Sequence, residues 1–549
     1  MSRAKAHTQS ELACEPSCQT LIEALRQAAL EEKDRLFVNL LDTRNRGNPL
    51  SFARVLAGAE HWARFFAARG IGRGDRVVLL LPTSEEFLFA LFGTLIVGGT
   101  PVPCPYPLAL GNAEDYVLSF AHIITSAQPR ALVTTDRYQE TAARLIGGQT
   151  DRVLVPDSVT EAPATTFPQV TAEETALLQY ASGPVGAPTG VELTHRHVLC
   201  NVFGLGRALG LSRDDVALNW VPLVHDMGLI GGLFTSLYWR LPLHVMSPQA
   251  FLMHPHLWLK NISDFRVSLS VAPNAAFQLC VRRVRDKHLD GLDLSCWRLA
   301  LNGAETVHHR TVEAFCDRFG PAGFRATAML PTYGLAENTL ATACPSLNEP
   351  ARTAPDPGDE SRQVVSVGLP LAGQQLAILD DEGIIMPEHE VGEIAVRGPC
   401  VMSRYHNNED ATRRAIHEGW LRTGDLGFVT DSHLFITGRK KEMVIKMGRN
   451  YYPDDIERVV MSNGRTAVAF ARPNTGSGTE DLVLILESEP LDSEAEKKLR
   501  SQVNADLLSI LGIRADDIVL VPPDTIPSHL SRSEQRRQMN AHITSNPVE

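Results

Sequence analysis

A chain of 549 residues exceeds what one ordinary hydrophobic core holds, so two to four domains are expected. Apolar residues make up 44% and charged residues 21%, the balance of a globular protein. The net charge of −12 argues against a general nucleic-acid binder, which carries a basic surplus, but leaves room for a small anionic ligand, because local charge decides that.

Residues 1–19 read as an N-terminal tail. They lack the apolar stretch of a secretory signal, and apolar runs elsewhere are broken by charge or Gly before about 18 residues, so no membrane span and a cytoplasmic location are expected. The nine cysteines show no zinc-like pair of pairs and are expected to be reduced thiols. From residue 20 helices and strands alternate. Val55, Ala59, Trp62 and Phe66 recur at helical spacing, with Gly70 as the cap. A buried strand follows at Arg76–Leu81. Ser84 then caps a helix over Glu85–Val97, which Gly98 and Gly99 end, and a second strand lies near Ala131–Thr134. Strand, helix, strand at this spacing implies a parallel α/β architecture. Residues 346–364, rich in Pro and charge, read as a surface loop or insertion. Strands follow at Gln375–Leu379 and Gly392–Arg397. Beyond Arg439 the chain reads as a smaller α+β unit, with helices near 453–462 and 493–510 and strands near 466–471 and 482–487.

Several short segments carry chemistry. The strand ending at Tyr180 runs into a turn with Ser182, Gly183, Gly186 and Gly190, and glycines let backbone N–H groups approach phosphate oxygens. The segment resembles the phosphate loop Tyr-Thr-Ser-Gly-Ser-Thr-Gly-x-Pro-Lys-Gly-Val of the AMP-forming adenylating superfamily, which includes acyl-CoA ligases, amino-acid adenylation domains and fatty acyl-AMP ligases. It differs at Ala181, Pro184, Val185 and Thr189, losing hydroxyls and, at Pro184, a backbone donor. Asn219–Ile230 is similar to the Trp-x-Pro-x-x-His-Asp-Met-Gly-Leu stretch of the fatty acyl-AMP ligases, and Val271–Gln278 to their Ala-Pro-Asn segment. Met447–Glu457 is similar to their Gly-Arg-Asn-x-Tyr-Pro-x-Asp-Ile-Glu motif. Leu301–Glu305 and Pro331–Glu337 match the superfamily's nucleotide motifs. Trp420–Gly427, followed eleven residues later by Gly438–Glu442, matches its ribose and hinge motifs.

The resemblance implies a large N-terminal α/β domain, with two α/β subdomains and a small β-rich part, over residues 20–439. A smaller mobile α+β domain would follow over 440–549, hinged near Lys440. It implies ATP and Mg²⁺. Ser182, Gly183, Gly186, Gly303, Ala304, Glu305, Thr332, Tyr333, Gly334, Asp425 and Arg439 would hold the nucleotide. Tyr333 would stack on adenine, Asp425 would accept from the ribose hydroxyls, and Glu337 would ligate Mg²⁺. His225, Met227, Gly228, Pro273 and Asn274 would form the acid pocket, with His225, Glu337 and Arg439 as catalytic residues. For His225, a satisfied histidine beside a helix start is the other reading. The family's C-terminal catalytic Lys aligns with Ser533, and after Lys446 only Lys497 and Lys498 remain. The implied activity is ATP-dependent formation of an acyl-AMP from a fatty or polyketide-like acid, for transfer to a carrier-protein phosphopantetheine thiol, with a polyketide synthase as the associated machinery. A catalytically impaired paralogue that binds nucleotide or acyl-adenylate, and an acyl-CoA ligase that passes the acyl group to CoA, are the alternatives.

Overall fold

The computed structural model describes residues 7–8, 15–106, 121–160, 162–181, 189–357, 359–440, 443–451, 453–461, 465–474, 476–523, 525–527, 535–536 and 538–540. Continuous apolar runs build its centre, as expected of strands covered on both faces. Five such runs, Met329–Pro331, Leu299–Asn302, Leu269–Ala272, Ala217–Asn219 and Leu243–Met246, lie side by side in parallel. Leu36–Leu41 joins them in parallel and Gly47–Ser51 closes the sheet as an antiparallel hairpin. Two apolar clusters fill the space around this sheet. A second, four-stranded parallel sheet runs Thr100–Pro103, Arg76–Leu80, Ala131–Thr134, Val153–Leu154. The helix expected after Ser84 spans Glu85–Ile96. The Ser84 hydroxyl accepts from the Phe87 amide, and every residue from Phe87 to Ile96 is buried, so the helix is enclosed on all faces.

The β-rich part is one large, mostly antiparallel sheet from strands between residues 333 and 439. Here the expectation of a loop over 346–364 needs correcting. Thr353–Asp356 pairs antiparallel with the long strand Asp359–Pro370. Among the described residues Thr353–Asp356 pairs with no other strand, so it is an edge, where Pro and charge are tolerated because one row of backbone groups faces solvent. The tail also contributes: His7–Thr8 pairs with Gln375–Leu376.

The large sheet ends at His433–Arg439. A smaller unit follows: the hairpin Val444–Lys446 and Arg449–Tyr451, the helices Pro453–Met461 and Ser493–Leu511, and the sheet Ala467–Asn474, Thr479–Glu487, Asp517–Val521. Its sheet buries one face under the two helices and the other against Ile526 and Met539. The Arg536 guanidinium makes a bidentate pair with Glu457 inside this unit, both contacts 2.7 Å. Among the described residues no helix is long and apolar enough to cross a membrane, and the eight described cysteines are free thiols.

Candidate active site

Parallel strands deliver their C-terminal ends to one edge, and the chemistry gathers there. Leu299–Asn302 and Met329–Pro331 are neighbours, with Asn302 opposite Pro331. The turns that follow them, Gly303–Glu305 and Thr332–Gly334, therefore emerge together. The Thr332 amide donates to the Asn302 carbonyl at 2.8 Å, and a Cβ on Gly303 would stand 2.8 Å from the Thr332 hydroxyl oxygen.

Tyr333 reaches a third segment. Its hydroxyl donates to Asp425 at 2.6 Å, and Arg439 donates through Nε to the other Asp425 oxygen at 2.7 Å. Asp425 and Arg439 face each other across the hairpin of Trp420–Thr430 and His433–Arg439. Burial, reinforced by the Asp425 carboxylate, holds the Tyr333 phenol well above its ordinary value. The ring is packed in the apolar cluster of the large sheet. A ribose on Asp425 would compete with this hydroxyl for the carboxylate, whereas an adenine on the ring face leaves the hydrogen bond in place. Glu337 lies one short turn beyond Tyr333, and its Oε1 accepts from the Tyr405 hydroxyl at 2.7 Å. Burial raises its carboxyl above the ordinary range, and the Tyr405 hydrogen bond opposes that rise.

The phosphate-loop strands Thr175–Ala181 and Thr189–Thr194 form an antiparallel hairpin. Ser182, Gly183 and Gly186 lie outside the described residues, as do Pro184, Val185 and Ser533. The base of the hairpin is pinned from both sides. Tyr180 donates to Ser126 at 2.9 Å, and the Glu192 carboxylate binds Arg404 at 2.8 Å and His406 at 2.6 Å. Burial disfavours ionised Glu192, but these two partners hold its carboxyl below the ordinary range.

On the acid side, His225 and Asp226 pair at 2.6 Å. Burial works against the imidazolium, yet the Asp226 carboxylate overrides it and raises the His225 pKa, while Asp226 is lowered in turn. After them Met227–Phe234 winds as a π-helix and Thr235–Trp239 as an α-helix. A Cβ on Gly228 would sit 2.3 Å from the Pro222 carbonyl oxygen, so only glycine lets the wide turn close here. Pro273 ends the strand Leu269–Ala272. Asn274, fully buried, gives its amide to the Gly478 carbonyl at 2.5 Å and accepts from the His308 amide at 3.2 Å, which makes it a brace behind the pocket wall.

Gly478 belongs to the small unit, and Glu305 ties the same seam. Its carboxyl accepts from the Ala275 amide at 2.6 Å in the large domain. It also accepts from the Gly448 amide at 3.3 Å and the Thr479 hydroxyl at 2.8 Å in the small one. Gly448 packs so closely that an added Cβ would stand 3.1 Å from Pro273 and 3.5 Å from Ala304. The small-domain hairpin thus caps the acid side beside His225.

Residues 25–406 match the family model described as AMP-binding enzyme. The chain belongs to the AMP-binding enzyme family. It is 33% identical over 569 aligned residues to the medium-chain-fatty-acid–[acyl-carrier-protein] ligase JamA of Moorena producens (strain JHB), covering 95% of this chain and 94% of that protein. It is 33% identical over 534 residues to the long-chain-fatty-acid–AMP ligase FadD26 of Mycobacterium marinum, covering 89% and 90%. The crystal structure of a fatty acid AMP ligase from Legionella pneumophila shares the fold with a TM-score of 0.77, at 28% identity over 97% of both chains. The expected large and small domains of an adenylate-forming enzyme are those of this fold, and the relatives place the chain in the fatty acyl-AMP ligase branch.

Within that family fold, the structure gathers Gly303, Thr332, Tyr333, Gly334, Glu337, Asp425 and Arg439 in one region, and His225, Met227, Gly228 and Pro273 in the adjoining one. It turns Glu305 and Asn274 toward the domain seam. Tyr405, Glu192 and His406 were not singled out from the sequence. A lone tyrosine or glutamate has no local pattern, and each acts on a partner far along the chain. Among the described residues no group of three or more His, Cys, Asp or Glu could hold a metal ion. Magnesium suits such a site, because it keeps its waters and needs one or two carboxylates plus substrate phosphates. Glu337, with one oxygen on Tyr405, fits that demand.

Proposed function

We propose that this protein activates a fatty or polyketide-like carboxylic acid with Mg·ATP. The acid's carboxylate oxygen attacks the α-phosphorus, the bond to the bridging oxygen breaks, and acyl-AMP and pyrophosphate form. The observation that carries the reading is the meeting of Tyr333, Asp425 and Arg439 from three separate segments, a pair of carboxylate acceptors and a cation arranged for a ribose and its phosphate. Asp425 binds the ribose hydroxyls once the Tyr333 hydroxyl leaves its carboxylate, and Tyr333 offers its ring to adenine. Arg439 balances charge on the phosphate side, and Glu337 holds Mg²⁺, which when bound neutralises the phosphates. His225, held by Asp226 at 2.6 Å, orients the acid's carboxylate. The small domain from residue 440 onward acts as the mobile element. The acyl group then passes to the phosphopantetheine thiol of a carrier protein associated with a polyketide synthase, in preference to CoA.

A second reading is favoured by particular residues. Pro184 and Val185 replace phosphate-loop hydroxyls, and Ser533 stands where the family carries its catalytic Lys. A protein so altered binds nucleotide or acyl-adenylate and adenylates poorly. Mass spectrometry of mixtures containing Mg·ATP and acids of graded chain length separates the two. Acyl-AMP with at least one acid supports the ligase. AMP binding without any adenylate overturns it in favour of the accessory role. A Ser533→Lys variant that then gains acyl-AMP formation locates the loss at that position.

A further inference from the structure

The chain carries a net charge of −12, yet one ridge runs the other way. Arg282 and Arg283 end the helix Asn274–Arg283, and Arg285, Lys287 and His288 follow within five residues. Arg282, Arg283, Arg285 and Lys287 are all exposed, and among the described residues none of the four is paired with a carboxylate. Asp286, the acid within the run, is taken by Arg318 at 2.7 Å. The fold lays this stretch against a second segment. Arg283 donates to the Leu252 carbonyl at 3.3 Å, His288 stacks on His256 with ring centroids 4.0 Å apart, and His254 meets His256 edge-on at 5.9 Å. Leu252 and Met253 ride beside them, 44% and 59% exposed, and form the one sequence-adjacent pair of large exposed apolar side chains among the described residues.

Two open apolar side chains bordered by cations that have no carboxylate partner among the described residues suit an acidic partner with an apolar contact of its own. Its position narrows the partner. The helix that ends at Arg283 begins at Asn274, behind the acid pocket, and ten residues at about 1.5 Å each put the ridge roughly 15 Å from that pocket. The ridge also meets the domain seam, where Arg282 donates to the Gly476 carbonyl at 3.1 Å. A folded acceptor is too large to enter the pocket and has to stand outside it, reaching in with an arm.

We propose that the ridge of Leu252, Met253, Arg282, Arg283, Arg285 and Lys287 is the docking surface for the acyl acceptor, an acidic carrier domain whose thiol sits on a phosphodiester-linked arm. This rests on the carrier reading given above and adds where the carrier stands. The cations meet the carrier's acidic surface and the phosphodiester, and Leu252 and Met253 seat an apolar side chain of its body. CoA offers the phosphates but nothing to cover the apolar pair.

The test uses the full-length enzyme, an acidic holo acyl carrier protein, and pantetheine as a thiol without a protein body. Two double variants, Arg283→Glu with Arg285→Glu and Leu252→Ser with Met253→Ser, are compared with the parent. Each is expected to lower kcat/KM for the carrier by about tenfold or more, mainly through KM, while acyl-AMP formation and transfer to pantetheine stay within about twofold. The parent's carrier reaction should weaken steeply with salt, and the charge-reversed variant should lose that slope. Anisotropy of labelled holo carrier gives the same comparison without turnover. Unchanged carrier binding and transfer in both variants overturns the docking site. Equal losses with pantetheine also overturn it, because the residues then act on the reaction. If the parent neither binds nor acylates the carrier while making acyl-AMP, the carrier reading falls together with the site.

Discussion

Glu305 is the residue whose removal should change the molecule's posture most. Its carboxyl is the only large-domain group that receives both the Gly448 amide and the Thr479 hydroxyl among the described contacts. Glu305→Ala removes two hydrogen bonds across the seam. At about 1 kcal/mol net for each, docking weakens by about 2 kcal/mol, a shift of roughly 30-fold in the docked-to-released ratio. The pH response has a definite sign. Burial raises the Glu305 carboxyl from an ordinary 4.5 to about 7, Glu480 adds to the rise, and the three donors oppose it. A group whose pKa rises on docking takes up a proton on docking. Its contribution is therefore fully present below pH 4.5 and is lost as pH climbs through about 7. Site-specific labels at the exposed Glu313 and Glu494, one on each domain, report the separation by energy transfer. The parent should show a docked population that shrinks between pH 6 and 8. Glu305→Ala should be largely released at pH 6 and indifferent to pH. A variant with the parent's distances and the parent's pH response would refute the clasp.

The remaining predictions concern the site and the small domain. Asp425→Asn should weaken AMP binding by about tenfold or more, as loss of a charged acceptor does, whereas Tyr333→Phe should bind AMP as tightly as the parent or tighter, because Asp425 is released from the phenol; calorimetry distinguishes the two. In Tyr405→Phe the Glu337 carboxyl loses the hydrogen bond that opposes its upward shift, so the acid limb of the acyl-AMP pH profile should move to higher pH. Glu457→Ala removes the buried carboxylate that Arg536 and the Ala469 amide share and should cost the small domain about 3–5 kcal/mol in urea unfolding, with the large domain's transition unmoved.

Much of this molecule is local and therefore legible in the sequence. Ser84 caps its helix because its hydroxyl and the Phe87 amide are three residues apart, and the parallel strands announce themselves as short apolar runs. The nucleotide motifs are contiguous strings, so their order along the chain was enough to propose a site. What only the tertiary structure decided depends on contacts between distant segments. The edge hairpin at Thr353–Asp356 looked like a loop because its composition suits solvent on one side, and only the partner strand makes it a strand. Tyr405 reaches Glu337 across 68 residues, and Thr479 reaches Glu305 across 174. No periodicity links positions so far apart. Glu305 is the clearest case: its motif pointed to the nucleotide, while the packing of two domains turned its carboxyl to the seam, where burial and three donors give it a different task.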